Sequence, residues 1–364
     1  MVALAVLFWV SLAGLAWTHV LYPAFAALLA RVAPRRVQKE DVEPSVAVIV
    51  AAYNEEASIA RRIENLLALD YPADRLQIVV SADGDGDRTQ EIALQYPDVQ
   101  VISNPRGGKV AAQDRAVRQT DSDLVVFSDA NCTWAPDALR QLVRAFADPT
   151  VAYVCGQLRI LDAEGGNKEG VYWRYEMVQR RAESALGSVT GGNGSIYAVR
   201  RRDYVEVDPR FGHDLSLPYL MVQRGRRAVY EPQAQASERP TPSNETEYRR
   251  KVRMFEHCWL IVLRGRMLRR LGPLYALEIV SHRLLRYGSG ILHVMLLVTS
   301  VALVTQGWVY DVVLGGQLLL FAAAAAGVPI ARYYALVTWA TVVALWNYLR
   351  RGVPATWELA EGAR

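Results

Sequence analysis

Four places in this 364-residue chain set acidic or amide side chains directly after a short apolar run. Residues 46–51 lead into Tyr53-Asn54-Glu55, and residues 76–81 into Asp83. Residues 99–103 lead into Asn104-Pro105-Arg106-Gly107-Gly108-Lys109, and residues 124–128 into Asp129-Ala130-Asn131. Short β-branched apolar runs read as buried strands. In open α/β sheets, ligands collect beyond the carboxyl ends of the strands. One acid in such a place is ordinarily a helix cap; four in succession describe a polar edge where an ion or a phosphate ester would be held.

The elements between these runs carry helical spacing. Residues 55–69 place Ile59, Ile63, Leu66 and Leu67 on one face, and residues 89–95 and 110–118 are shorter helices. Strand and helix signals in alternation predict a mostly parallel sheet covered by helices. This α/β zone covers residues 44–256.

Competing motifs fail on single positions. A phosphate-binding P-loop around Gly108-Lys109 needs Gly where Ser103 stands and Ser or Thr where Val110 stands. A calcium loop beginning at Asp83 needs Gly at Arg88 and Glu at Leu94. The dinucleotide fingerprint on Gly84 and Gly86 meets Thr89 in place of its third Gly. Sequons at Asn131, Asn193 and Asn244 carry no meaning on a cytosolic domain. Three cysteines, Cys132, Cys155 and Cys258, give an odd number at wide spacing and form neither a zinc pattern nor a disulfide framework.

The flanking zones are apolar. The first 30 residues hold no Asp, Glu, Lys or Arg. That exceeds the roughly 20 residues a bilayer-crossing helix needs, and there is no basic start of the kind a cleavable signal has. Residues 1–34 therefore read as an anchor. Arg31, Arg35, Arg36 and Lys39 follow it, which puts Met1 outside and the α/β zone in the cytosol. Residues 257–364 return to the membrane: a basic amphipathic helix over 259–271, then apolar segments over 291–310, 312–330 and 333–348, giving two or three further spans. The net charge of +4 suits anionic lipid and requires no nucleic-acid partner.

Taken in order, Tyr53-Asn54-Glu55, Asp83, Gly107-Gly108-Lys109, Asp129-Ala130-Asn131, Gly191-Gly192-Asn193-Gly194, His213-Asp214 and the basic run from Arg249 to Arg253 resemble family-2 glycosyltransferases. The nearest in pattern are membrane-bound bacterial enzymes related to cellulose, hyaluronan and poly-N-acetylglucosamine synthases. The resemblance implies a GT-A (nucleotide-diphospho-sugar transferase) domain with a mostly parallel mixed sheet, flanked by N- and C-terminal transmembrane helices, in the bacterial inner membrane. It implies an inverting transfer from a nucleotide-diphosphate sugar, UDP first and GDP second, to a lipid-linked saccharide or glycolipid.

Roles follow from the resemblance residue by residue. Asp214 matches the base, with His213 where relatives carry Glu or Asp; an N-cap on a helix starting near Leu215 is the competing reading. Asp129 and Asn131 match the metal-binding Asp-x-Asp, with an amide in the second place, and imply Mg2+ or Mn2+. Asp83 matches the acid that meets base or ribose; Tyr53, Asn54 and Glu55 form the opposite wall, or Glu55 is a loop anchor. Arg106 and Lys109 face the diphosphate, as do Arg250 and Arg253. Gly191, Gly192, Asn193 and Gly194 shape the acceptor site, or form a tight turn. The aromatic segment 172–176 lies at the acceptor entrance or in the core. The processive synthases carry Gln-x-x-Arg-Trp; here Arg250 and Met254 replace the Gln and Trp, with Trp259 as a substitute ring. That favours transfer of one or a few sugars over the alternative of a processive synthase that translocates its polymer. A catalytically silent nucleotide-sugar-binding module is the reading from another class.

Overall fold

The computed structural model describes residues 1–84, 86–161, 171–239 and 244–356. Two compact units emerge. One comprises residues 29–239 with 269–271 and 354–356, the other residues 1–28, 244–268 and 272–353.

The first unit is the α/β zone. Its elements are β1 (Val46–Ala52), α3 (Ile59–Leu67), β2 (Leu76–Asp83), α4 (Thr89–Ala93), β3 (Val99–Asn104), α5 (Lys109–Arg118), β4 (Leu124–Ser128) and β5 (Thr133–Trp134). They continue with α6 (Ala138–Val143), β6 (Val151–Ile160), α7 (Val171–Leu186), β7 (Tyr197–Arg200), α8 (His213–Gln223) and β8 (Arg227–Glu238). One eight-stranded sheet runs β3-β2-β1-β4-β7-β6-β8-β5. The pairs β1–β2, β1–β4, β2–β3 and β6–β8 are parallel, and β4–β7, β6–β7 and β5–β8 antiparallel.

Both faces of this sheet are covered, which is why β1 and β4 are apolar at nearly every position. Successive side chains alternate sides. Val48, Val50 and Val126 pack with Ile63, Leu66, Leu139 and Leu142 on one face. Ile49, Val125 and Phe127 pack with Tyr153, Tyr197 and Met221 on the other. The register then aligns the strand ends: Ser128 pairs with Val50, Ala52 with Ala82 and Asp83 with Asn104. Tyr53, Asp83, Asn104 and Asp129 are therefore delivered to one edge, as the strand-end argument requires.

The second unit contains α1 (Val2–Ala16), α2 (Tyr22–Val32) through its first turns, α9 (Asn244–Arg264), α10 (Pro273–Glu278), α11 (Leu285–Tyr287), α12 (Ser289–Ala302), α13 (Trp308–Ala325) and α14 (Pro329–Arg351). Phe8 and Leu15 pack with Leu296 and Leu303. By length and composition, Val2–Val32 and Trp308–Ala325 are able to cross a membrane; Pro273–Tyr287 with Ser289–Ala302, bent by 62°, adds a third if it is one broken span.

Three expectations are corrected here. The α9 helix is continuous through residues 256 and 257, so the units part before it and not in its middle. The helix read over 259–271 does not exist as one element: α9 stops at Arg264, and Arg266 and Arg270 take φ of 52° and 54°, a left-handed backbone that breaks a helix. Trp259 is also not an open ring awaiting a sugar. It is buried, and its Nε1–H donates to the Thr341 carbonyl on α14 at 2.9 Å.

Phe127 is fully buried and stacks on Tyr197 with ring centroids 4.8 Å apart. Phe127→Ala should cost about 3–5 kcal/mol, read as lost amide-exchange protection across β1 and β4; protection unchanged within 1 kcal/mol, roughly one buried methylene, would place the sheet's main support elsewhere.

Candidate active site

The turn after β3 is built on Asp83. Its carboxylate is 2% exposed and accepts from the Gly107 amide at 2.7 Å and the Gly108 amide at 2.9 Å, while the Arg106 guanidinium pairs with it. Gly108 has φ of 92°, which an L side chain rarely adopts, and this lets α5 begin at once with Lys109. Arg106 also lies 3.3 Å over the Tyr53 ring. Tyr53, Asp83 and Arg106 thus form one cluster, with Asp83 as its buried anchor. Glu55 accepts from the Ser58 hydroxyl at 2.5 Å, the local loop contact that the anchor reading foresees. Asn54, at φ 53°, lies against Gly86, where a side chain would meet its Oδ1 at 2.3 Å.

Lys109 reaches from the start of α5 to the end of β4 and pairs with Asp129. Asp214 and Glu238 also act electrostatically on its ammonium. The second oxygen of Asp129 is 3.1 Å from the Ser195 hydroxyl, which lies 2.5 Å from Glu238 Oε1. A hydroxyl has one hydrogen, so it cannot donate to both carboxylates at once. Asn131 stands exposed two residues after Asp129. Behind this edge Arg62 is 1% exposed, with its guanidinium 4.6 Å over the Trp134 ring and Nε and Nη2 without a hydrogen-bond partner.

The loop from Gly191 to Ser195 is pinned from below. Asn193 is buried; its Nδ2 donates to the Gly156 carbonyl at 2.6 Å and its Oδ1 accepts from the Ser195 and Ile196 amides. It holds the loop and does not offer its side chain to an acceptor, so only its backbone remains of the expected role. A Cβ on Gly192 would meet the Tyr153 hydroxyl at 2.1 Å, and one on Gly194 would crowd Lys109 Nζ at 3.2 Å. Arg180 of α7 donates to the Gly192 carbonyl at 3.0 Å. Of the segment 172–176, the Tyr172 side chain lies outside the described residues, and Trp173 donates to the Leu158 carbonyl at 3.2 Å.

The α8 helix starts at His213, two residues earlier than expected. Gly212 is its N-cap, so Asp214 occupies the first turn and is not the cap; a carboxylate there is favoured by the helix dipole. The Asp214 carbonyl accepts from the Gly192 amide at 2.6 Å, tying the two loops together. His213 points the other way. It is 3% exposed, bonded through Nδ1 to the Tyr197 hydroxyl at 2.9 Å, with the Tyr204 hydroxyl 3.4 Å from Nε2. Phe127, Tyr197 and Tyr204 enclose it edge-on. The expected catalytic role of His213 is therefore corrected to one of support: consecutive residues at a helix start face different sides.

Sequence reasoning passed over Glu238, Arg62, Tyr153, Arg180 and the Asp114–Tyr204 pair. Glu238 ends the apolar-alternating run of β8, so the strand-end rule applied to β1–β4 would have found it. Arg250 and Arg253 lie on α9, in the other unit, where Arg250 pairs with Glu247 at 2.8 Å.

Asp129 and Glu238 meet at the Ser195 hydroxyl, with Lys109 paired to Asp129 and Arg62 acting on it from behind. A phosphate ester brought against these carboxylates is repelled unless a cation stands between them. The donors are hard oxygens: one carboxylate at Asp129, the Asn131 amide and a second carboxylate at Glu238. That set fits Mg2+ or Mn2+, which commonly take one or two carboxylates and complete their shell with water and substrate phosphates.

A model of the family described as glycosyl transferase family 2 matches residues 47–207. The chain carries a glycosyltransferase family 2 domain. Asp214 and Glu238 lie beyond the matched segment of this domain. Over 179 residues it is 32% identical to a β-monoglucosyldiacylglycerol synthase of Synechocystis sp., covering 44% of this chain and 36% of the relative. It is 29% identical over 224 residues to an N-acetylglucosaminyltransferase of Rhizobium sp., covering 53% and 48%. The chain thus spans about a third to a half of the length of these relatives. A solved mannosyltransferase from Pyrobaculum calidifontis, in complex with GDP-Man and Mn2+, superposes with a TM-score of 0.74 at 23% identity, over 94% of this chain and 99% of that one. The sheet of the family 2 domain is thereby a GT-A fold.

Burial pushes the His213 pKa down to about 3, with the Lys109 charge adding to the effect, while burial pushes Asp114, hydrogen-bonded by Tyr204 at 2.5 Å, up to about 6. An unfolded chain protonates His213 below its ordinary 6.5; the folded one stays neutral. The stability this neutral histidine contributes is present above pH 6.5 and is lost as pH falls toward 3. Asp114 works in the opposite sense: the folded state keeps a proton that the unfolded chain has released, so its penalty fades as pH drops from 6 to 3.8. His213→Asn should remove the histidine part alone. The stability gap between wild type and variant, measured by denaturant unfolding, should narrow by about 2 kcal/mol from pH 7.5 to 5. A gap independent of pH would mean that His213 titrates as an exposed imidazole.

Proposed function

We propose that the family 2 domain performs an inverting transfer from a nucleoside-diphosphate sugar to a membrane-associated hydroxyl acceptor, with Asp214 as general base. The pairing of Lys109 with Asp129 at the strand-end edge, the Ser195 hydroxyl shared by Asp129 and Glu238, and Asp214 in the first turn of α8 support this reading.

In this reaction Asp214 takes the proton from the acceptor hydroxyl as its oxygen attacks the anomeric carbon. The bond from that carbon to the diphosphate breaks on the opposite face, and its electron pair leaves on the phosphate oxygen. Asp129, with the Asn131 amide, would hold a divalent cation, which supplies positive charge to the leaving diphosphate. The Gly107 and Gly108 turn brings Lys109 to the same charge, and Tyr53, Asn54 and Glu55 wall the nucleoside side, with Asp83 as the buried anchor of the turn in place of the direct contact expected of it. The backbone of Gly191 to Gly194 lines the acceptor side. UDP is the carrier we favour. The relatives named for diacylglycerol glycolipid synthesis, together with the apolar helices, support a lipid acceptor and a site on the cytosolic face of a bacterial inner membrane.

Asp214→Asn should lower turnover of the accepted donor by 10² to 10⁴-fold and leave the thermal shift given by that donor in place. Turnover retained in this variant would put the base elsewhere. A panel of UDP- and GDP-sugars, each with and without Mn2+, identifies the donor as the ligand that raises the melting temperature of the full chain. A panel in which none does so defeats the reading.

A further inference from the structure

Resting on that reading, one feature goes beyond it. The ammonium of Lys109 pairs with one carboxylate oxygen of Asp129, and the Ser195 hydroxyl lies between the other and Glu238. We propose that Lys109 is a resident counter-ion which the metal must displace, and that Glu238 is the second carboxylate of the metal site, standing in for the charge that Asn131 lacks.

Three observations meet here. First, Gly194 is the clearance that allows the contact: a Cβ there would lie 3.2 Å from Lys109 Nζ and 3.6 Å from Asp129 Oδ2. Second, Asp129 Oδ2 and Glu238 Oε1 both lie at the Ser195 hydroxyl, whose one hydrogen cannot serve both, so two carboxylates from distant strands meet at one point. Third, Lys109 follows directly on the Gly107-Gly108 turn, whose amides are held by Asp83, so its side chain starts from a fixed point beside the proposed diphosphate site. The metal and the nucleoside diphosphate would then bind with positive coupling, because the diphosphate offers Lys109 a new partner at the moment Asp129 is needed for the ion. Coupling of this kind is reciprocal.

The test is Mn2+ binding to the full-length protein in detergent, read by the loss of the free Mn2+ electron-spin signal, with no sugar donor present. Lys109→Met should tighten Mn2+ binding by about tenfold, the scale of one charge-assisted contact. Arg106→Met removes a charge already committed to Asp83 and should change it less than threefold. Glu238→Gln should weaken Mn2+ binding by about tenfold, and addition of UDP should tighten binding more in wild type than in Lys109→Met. Mn2+ binding unchanged or weakened in Lys109→Met overturns the counter-ion assignment. Unchanged binding in Glu238→Gln overturns the second carboxylate. If Lys109→Met fails to fold, Lys109→Gln answers the same question. Mn2+ bound equally by Asp129→Asn would place the ion elsewhere altogether, a failure of the metal reading that leaves donor turnover and the Asp214 result untouched.

Discussion

A single ammonium holds the site in register. Among the described residues Lys109 is the cation paired with Asp129, and Asp214 of α8 and Glu238 of β8, more than a hundred residues further along the chain, also act on its charge. Like charges brought this close oppose folding unless something compensates them. The compensation is placed by the backbone: the Gly108 φ starts α5 abruptly, and the Asp83 carboxylate fixes the two amides ahead of it. A change in that turn would move the cation and, with it, the balance among all three acids.

Rigidity comes from behind the cleft, from groups that meet no ligand. Asn193 and Arg180 secure the glycine loop, and the Asp214 carbonyl receives the Gly192 amide. The box of Phe127, Tyr197 and Tyr204 around a neutral imidazole fixes the start of α8. The cysteine behind Asp129 belongs to the same support. Cys132 is buried beside the Asp129 and Ser195 carbonyls, and burial pushes its thiol up to about 11, so it stays protonated and unreactive.

The sheet was legible because parallel strands covered on both faces leave an unmistakable apolar run, and their register then aligned Tyr53, Asp83 and Asp129 as the strand-end argument demanded. What the sequence did not disclose was direction. His213 and Asp214 are neighbours in the chain, yet one enters the core and the other lies in the first helical turn; a pattern of residue types does not record which way each points. Asn193 misled for the same reason, since a polar side chain between glycines reads as a contact while its hydrogen bonds run inward. Glu238 lay within reach of the strand-end rule as the last residue of β8, but its link to Asp129 through Ser195 exists only once β8 has paired with β6 and β5. The helix expected over 259–271 failed because two arginines adopt a backbone that no periodicity reveals.

The contact between Gly192 and the Tyr153 hydroxyl bears on how such a scaffold diversifies. With 2.1 Å between that oxygen and any added methyl carbon, position 192 is closed to every other amino acid as long as the tyrosine stays. Selection for a new acceptor, natural or in the laboratory, is thus denied the middle of the loop and has to work through the surfaces around it. Libraries that randomise the whole glycine stretch would spend most of their members on chains that do not assemble.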